Sequence, residues 1–364
     1  KSDLSLTYYH KSTNNVILPI VVAASSGATN QWANGASIRN DGVEASLNVR
    51  PIQNKLLSWE IGGTYAANWN KVLSLSGLQF IPYGGSGNFG NVSGSGGNAV
   101  TLLGGSVDNF FGYDYVRCGN GVVLADAGGN PYNVDAHCSG SQKRNHALFI
   151  ADGNLAANNT TEGPGYPILD PTQRGIGNPD PRWTGNIHTT LHIKHFTISG
   201  LLDIRQGGSV YDATLQTLDY YGASAETGQL RNKSVVFGSS FMPGPVAGPG
   251  VGTHAVLDQT FFQQFRGAIL PSPYATTPFI VDGSFIRLRE ISVGYTFQGR
   301  FISHNLGLGS IDLRVAGRNL AIWTKYQGAD PEVSAGGAES GAQGIDYFGV
   351  PQTRTFLFTL TITR

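Results

Sequence analysis

Between residues 278 and 364, apolar and polar side chains alternate in runs of about ten residues, and polar connections separate the runs. Phe356, Phe358, Leu360 and Ile362 point one way; Thr355, Thr359, Thr361 and Thr363 point the other. A period of two is strand periodicity, with one apolar and one polar face. The stretch 57–70 constrains the fold further. Trp59, Ile61, Gly63, Tyr65, Ala67 and Trp69 share a face, and Glu60, Gly62, Thr64, Ala66, Asn68 and Asn70 share the other. From Trp59 to Trp69 the strand rises by about 33 Å, or about 23–25 Å along the normal of a membrane it crosses at a tilt of roughly 40–45°. That is the height of the apolar band between the aromatic girdles of a transmembrane β-barrel. A long sandwich strand with two incidental tryptophans is the competing reading.

Composition points the same way. Charged residues make up 13% of the 364 positions, there are 50 glycines, and the formal net charge is zero. A soluble domain carries roughly 25% charged residues. No apolar run reaches the roughly 18 residues of a transmembrane helix. A neutral chain has no electrostatic footprint for nucleic acid, so no nucleic-acid partner is expected. The sequence opens on Lys1 and its only Met is Met242, so a C-terminal piece of a longer chain is expected.

The alternation predicts eight strands, with two more in view at 110–115 and 145–151. A strand opens at 2–10 and is followed by a loop containing Trp32. The next strand has Val43, Ala45, Leu47 and Val49 on its apolar face, and a short turn at Pro51–Asn54 leads into 57–70. Ile187, Thr189, Leu191 and Ile193, then Phe196, Ile198, Leu202 and Ile204, form a hairpin with a tight turn. Turns this short belong to the periplasmic end of a barrel. Long segments near 72–142, 207–280 and 325–350 read as extracellular loops, and the Gly-rich stretches 84–97 and 244–252 as flexible surface.

No catalytic constellation is present, and no cofactor or metal is expected. His188 and His192 share a strand face, but four residues along a strand span about 13 Å, too far to chelate one ion. They read as lumen-lining. Cys118 and Cys138 lie in one long segment; a disulfide closing it is the leading reading, because such bonds persist outside the cytoplasm, and two free thiols are the alternative.

Several short motifs recur in order: Gly283-Ser-Phe-Ile-Arg-Leu-Arg, Gly294-Tyr-Thr-Phe, Gly317-Arg-Asn-Leu, Trp323-Thr-Lys-Tyr, Gly328-Ala-Asp-Pro-Glu and Pro351-Gln-Thr-Arg-Thr-Phe. Upstream stand Asn178-Pro-Asp-Pro and Arg205-Gln-Gly-Gly with Val210-Tyr. Together they resemble the C-terminal part of SusC/RagA-type TonB-linked outer-membrane transporters. The resemblance implies an all-β, antiparallel transmembrane barrel of about 22 strands around a plug that this sequence does not contain. It implies nutrient uptake, of oligosaccharide or peptide, with outer-membrane lipid, a SusD-like surface lipoprotein and the TonB complex as partners, the last through an N-terminal region outside this sequence. A barrel kept as a structural or docking part of an envelope assembly is the alternative, and a secreted adhesin a weaker one.

On this reading Trp59, Tyr65, Trp69, Tyr295, Phe297, Phe356 and Phe358 form the lipid-facing girdle. Trp32, Tyr326, Asp330, Glu332, Asp346 and Tyr347 sit in ligand- or partner-facing loops, with an ordinary solvated acidic loop as the plainer reading for the carboxylates. Arg314, Arg318 and Asp312 project inward and either pair with one another or meet ligand. Two features depart from the family pattern: the chain ends Thr363-Arg364 rather than on an aromatic, and the cysteine-bearing stretch 117–142 is an addition.

Overall fold

In the computed structural model, residues 1–21, 25, 27, 30–82, 98–126, 128–157, 160–161, 163–239, 241–266, 275–335 and 343–364 are described. The Gly-rich stretch 84–97 lies outside them. Eight long strands form one antiparallel sheet: β1 (Ser2–Val21), β2 (Asn30–Gln53), β3 (Leu57–Ser74), β4 (Trp183–Ile193), β5 (Phe196–Gln206), β6 (Phe285–Phe297), β7 (Ser310–Thr324) and β8 (Thr355–Thr363). Each pairs with its neighbour in sequence, so the sheet is an unbroken meander from β1 to β8. No helix among the described residues is long and apolar enough to cross a membrane.

Register fixes the two faces. Leu4 pairs with Leu47, Leu47 with Gly63, and Gly63 with Ile187. Phe196 pairs with Tyr295, Tyr295 with Leu313, and Leu313 with Leu360. These positions form a continuous apolar face, and much of it is bare: Leu4 is 72% exposed and Phe358 80%. A soluble protein does not leave apolar area of this extent to water; a membrane barrel turns it to lipid. The opposite face is polar. His188 bonds to Asn48 across Gly62 (3.1 Å), and Ser199 to Ser292 (2.6 Å). A Cβ at Gly62 would lie 2.1 Å from the Asn48 amide oxygen, which is why a glycine stands in mid-strand. On the apolar face the character changes at Trp69, whose cross-strand partner is Asp41; one step on, Lys71 pairs with Arg39.

Three expectations are corrected. First, β1 runs to Val21 and β2 starts at Asn30, so Trp32 stands on a strand and not in a loop. At 20 and 24 residues these strands far exceed the 9–11 a membrane needs, and their hairpin projects beyond it. Second, the two extra strands do not join the wall. Asn109–Gly112 and Leu148–Phe149 belong to smaller sheets in the long segments. Third, the described residues of the segments 75–182, 207–284 and 325–354 are not simple loops but pack together into a cap with its own apolar core.

Antiparallel alternation brings all three segments out at one end of the sheet, while the connections 54–56, 194–195 and 298–309 turn at the other. Phe110 from the first segment, Tyr211 and Phe279 from the second and Ile345 from the third share one buried cluster. The strand 209–212 pairs with both 280–282 and 345–346. Helices α1 (Gly140–Arg144), α2 (Ala213–Tyr220) and α3 (Ala225–Leu230) complete the cap, capped by the side chains of Ser139, Asp212 and Ser224. Within the Gly-rich stretch 244–252, Ala247 and Gly250 are buried in this packing, while Gly244, Pro245, Pro249, Val251 and Gly252 are surface. A Cβ at Gly250 would lie 1.6 Å from the Ala151 carbonyl oxygen.

Cys118 and Cys138 are joined by a disulfide across 20 positions, with both side chains inside the first segment's core. Closing a loop of that length restricts the unfolded chain by an amount worth about 3 kcal/mol. Replacing both cysteines with Ala is expected to lower the stability of residues 116–151 by that amount, read as faster amide exchange there with the wall unchanged.

Candidate functional site

At the capped end, the polar face of the last strands carries a dense ionic network. Its origin is a β-bulge. Leu202 pairs with Leu288 but Leu201 with Glu290, so Arg289 is the extra residue, and both Arg289 and Glu290 turn to the polar face. Bulges re-aim side chains in this way. Opposite, β7 adjusts at Asn319, which takes a left-handed conformation (φ 51°).

Arg287 is the buried centre of the network. Its guanidinium donates to Asp330 at 2.5 Å and pairs with Glu332 at 2.9 Å, and both Arg287 and Asp330 are under 5% exposed. Asp330 also accepts the backbone N–H groups of Glu332 and Gln352. Arg289 pairs with Asp203 at 2.7 Å and with Glu332. The Phe285 ring lies 5.6 Å from the Arg287 guanidinium and 5.9 Å from that of Arg289. Below them Glu290 pairs with Arg314 (3.3 Å) and Arg318 (2.9 Å). Asn186, Asp203, Arg289, Glu290, Arg318 and Gln352 line a cleft of about 440 Å³ beside the network. Its lining offers charged donors and acceptors to a polar solute in the lumen. Among the described residues no group of His, Cys, Asp or Glu could hold a metal ion.

The structure redistributes the expected loop residues. Asp330 and Glu332 face inward and are bound to arginines of the wall, with Asp330 buried and Glu332 partly so. Tyr326 and Asp346 are also buried: the Tyr326 hydroxyl donates to Asp346 at 2.5 Å, and the Thr214 hydroxyl donates to the same carboxylate at 3.0 Å. Burial, reinforced by the Asp346 and Asp212 carboxylates, pushes the Tyr326 hydroxyl far above its ordinary range, so it stays a donor. These four hold the last segment to the wall and the cap. Trp32 is exposed on the β1–β2 hairpin, at the far edge of the sheet from Tyr326. Tyr347 is half-buried against Phe348 (ring centroids 5.1 Å apart). Phe348 and Val350 were not anticipated, yet both are exposed beside Tyr347. Arg314, Arg318 and Asp312 do project inward, the arginines onto Glu290.

Arg287, Arg289 and Glu290 escaped the sequence reading as a site. The signal was there: two adjacent charges, Arg289-Glu290, break the period of two inside a strand.

Within the cap, Asp219 is fully buried on α2, with Arg266 Nε 3.5 Å away. Burial, helped by the Glu226 and Asp212 charges, outweighs Ser224 and Arg266 and lifts its carboxyl to about 6 from 3.8. The folded cap thus binds this proton more tightly than the unfolded chain. The stabilisation is complete below about pH 4 and is lost as pH rises through about 6; a rise of this size corresponds to about 3 kcal/mol. Protection factors for residues 213–230 are expected to fall between pH 4 and 7, and Asp219→Asn is expected to flatten that dependence.

No family model matches the sequence. The chain is 26% identical over 99% of its length to TonB-dependent receptor P3 of Formosa agariphila, and covers 32% of that protein. It is 21% identical over 97% of its length to TonB-dependent receptor SusC of Bacteroides thetaiotaomicron, covering 29% of it. The fold matches the solved RagAB peptide importer in its closed-closed state (TM-score 0.62, 15% identity, all of this chain and 33% of that one) and in its open-open state (TM-score 0.62). The chain therefore spans about a third of the relatives it matches. An exposed apolar face, a polar inner face and these likenesses together identify it as similar to the C-terminal β-barrel portion of SusC/RagA-type TonB-dependent receptors of the outer membrane.

Proposed function

We propose that this chain forms the last wall strands and part of the outer cap of a TonB-dependent importer for an oligosaccharide or a peptide, working with a SusD-like lipoprotein, and that it catalyses no reaction. The observation that carries the reading is the pair of unpaired sheet edges. Among the described residues β1 and β8 each pair on one side only. Open edges in lipid leave backbone groups without partners, which costs several kcal/mol for each group. Further strands must close this wall, and a barrel with room for a plug is a transporter rather than a filled core.

In this reading the short turns face the periplasm and the cap faces outside. Trp59, Tyr65, Trp69, Tyr295, Phe297, Phe356 and Phe358 meet lipid. The exposed Trp32, Phe348 and Val350, with the half-buried Tyr347, face the lipoprotein or the incoming cargo. The ionic network holds the last segment against the wall, and the adjoining cleft lines the route inward.

The test begins with the intact polypeptide isolated from its own membrane. A mass well above 38.6 kDa, with peptides upstream of Lys1, is expected. Cells lacking the gene should then fail to accumulate a labelled oligosaccharide or peptide, and removal of TonB should reproduce that loss. Normal accumulation in both strains would move the assignment to a structural or docking barrel.

A further inference from the structure

The three short connections form one continuous edge. The Lys194 N–H donates to the Leu56 carbonyl at 2.9 Å, which ties the β2–β3 turn to the β4–β5 turn. The Thr296 N–H donates to the His195 carbonyl at 3.0 Å, which ties the β4–β5 turn to the start of the β6–β7 connection. Each connection carries an exposed cation (Lys55, Lys194 and Arg300), and none of the residues 54–56, 194–195 and 298–309 is Asp or Glu. Among the described residues these three cations enter no ion pair, whereas the arginines of the polar face and the cap are largely paired.

Apolar side chains are interleaved with the cations. Leu56, Phe196, Phe297 and Phe301 are exposed. Phe196, Tyr295 and Phe297 meet edge to face with centroids 4.6 Å apart, and the His195 ring lies 5.9 Å from Tyr295. Phe196, Tyr295 and Phe297 lie at the end of the apolar face that continues through Ile198, Val293 and Leu313. The connections that carry the cations follow directly on the strand ends, past a ring cluster of the apolar face at the depth where aromatic residues sit at a membrane surface. A positive edge at that depth attracts anionic headgroups. The exposed rings among the cations belong to the apolar face, not to the polar face that a lumen plug would meet.

We propose that this edge is a binding site for the phosphate of anionic phospholipids in the leaflet reached by the short turns, with Lys55, Lys194 and Arg300 contacting the headgroups and the Phe196–Tyr295–Phe297 cluster seating the glycerol region. The site depends on the membrane placement of the wall and not on transport.

The test uses the full-length protein in nanodiscs of equal phosphatidylglycerol and phosphatidylethanolamine, with the lipids retained on extraction counted by native mass spectrometry. Retention of phosphatidylglycerol is expected to exceed that of phosphatidylethanolamine by about fivefold or more, and to fall with added salt. The variant Lys55→Gln/Lys194→Gln/Arg300→Gln should bring the ratio close to one. Lys143→Gln/Arg144→Gln, on the exposed helix of the cap, should leave it unchanged. If the triple variant fails to assemble, as read by heat-modifiable gel mobility, Lys194→Gln alone should give an intermediate ratio. No lipid preference in the wild type, an unchanged ratio in the variants, or displacement of lipid by free glycerol phosphate would each overturn the proposal. Because the readout needs neither TonB nor cargo, failure of the uptake assignment leaves this result standing.

Discussion

Arg287→Ala is expected to destabilise the closing strands of the wall and the segment 325–354 by about 3–5 kcal/mol, the cost of leaving a buried carboxylate without its partner. Asp330 is 3% exposed and has the Arg287 guanidinium 2.5 Å away; Glu332 depends on Arg287 and Arg289 together. Truncation would strand Asp330 inside, where two backbone N–H groups are its remaining donors. Denaturant unfolding of the detergent-folded protein checks the magnitude. Amide exchange across 326–352 checks the location. Arg287→Met with Asp330→Leu removes both charges while filling the space, and should recover most of the loss. An Arg287→Ala protein as stable as the parent would show that the pair is dispensable and that the last segment is held by its other contacts, the Tyr326–Asp346–Thr214 bonds and the 345–346 strand pairing among them.

Tyr65→Arg and Ile187→Arg are expected to cost about 2–4 kcal/mol each, the depth-dependent penalty for a cation on the lipid face of a barrel. Both lie on the apolar face between the Trp59 and Trp69 levels, and Tyr65 also stacks against Trp183 with centroids 5.5 Å apart. Folding into vesicles, followed by denaturant titration, reads the effect. Trp69→Arg, where the outer face turns to Asp41, Arg39 and Lys71, should cost far less. Two neighbouring positions on this face, Ala67 and Gly63, are poor tests. Ala67 is 2% exposed, so an Arg there must displace its neighbours whatever the solvent. At Gly63 a Cβ would already lie 2.8 Å from the Asn186 carbonyl oxygen. Equal cost at Tyr65, Ile187 and Trp69 would remove the membrane assignment of this face.

The site was only partly legible. Asp330 and Glu332 stood out because acidic residues beside a proline in a long connection look solvated or ligand-facing. Their partners, Arg287 and Arg289, lie more than 40 positions away, and nothing in a linear pattern joins such residues. The cap was missed for a related reason. Its helices and two- to five-residue strands are too short for a periodic signal, and their stability comes from packing among segments distant in sequence.

What the sequence determined by itself is the wall. A strand puts alternate side chains on opposite faces by covalent geometry, so eight alternating runs specify two chemically distinct faces and the solvent each requires. The spacing of Trp59 and Trp69 adds the height of the apolar band. What only the tertiary structure decided is everything at the capped end. It set the extension of β1 and β2 beyond the membrane, the joining of three long segments into one core, and the bulge that turns Arg289 and Glu290 inward. It also decided the burial of Tyr326, Asp330 and Asp346. Those outcomes depend on which distant groups meet, and burial and pairing energies are properties of the meeting and not of either residue alone.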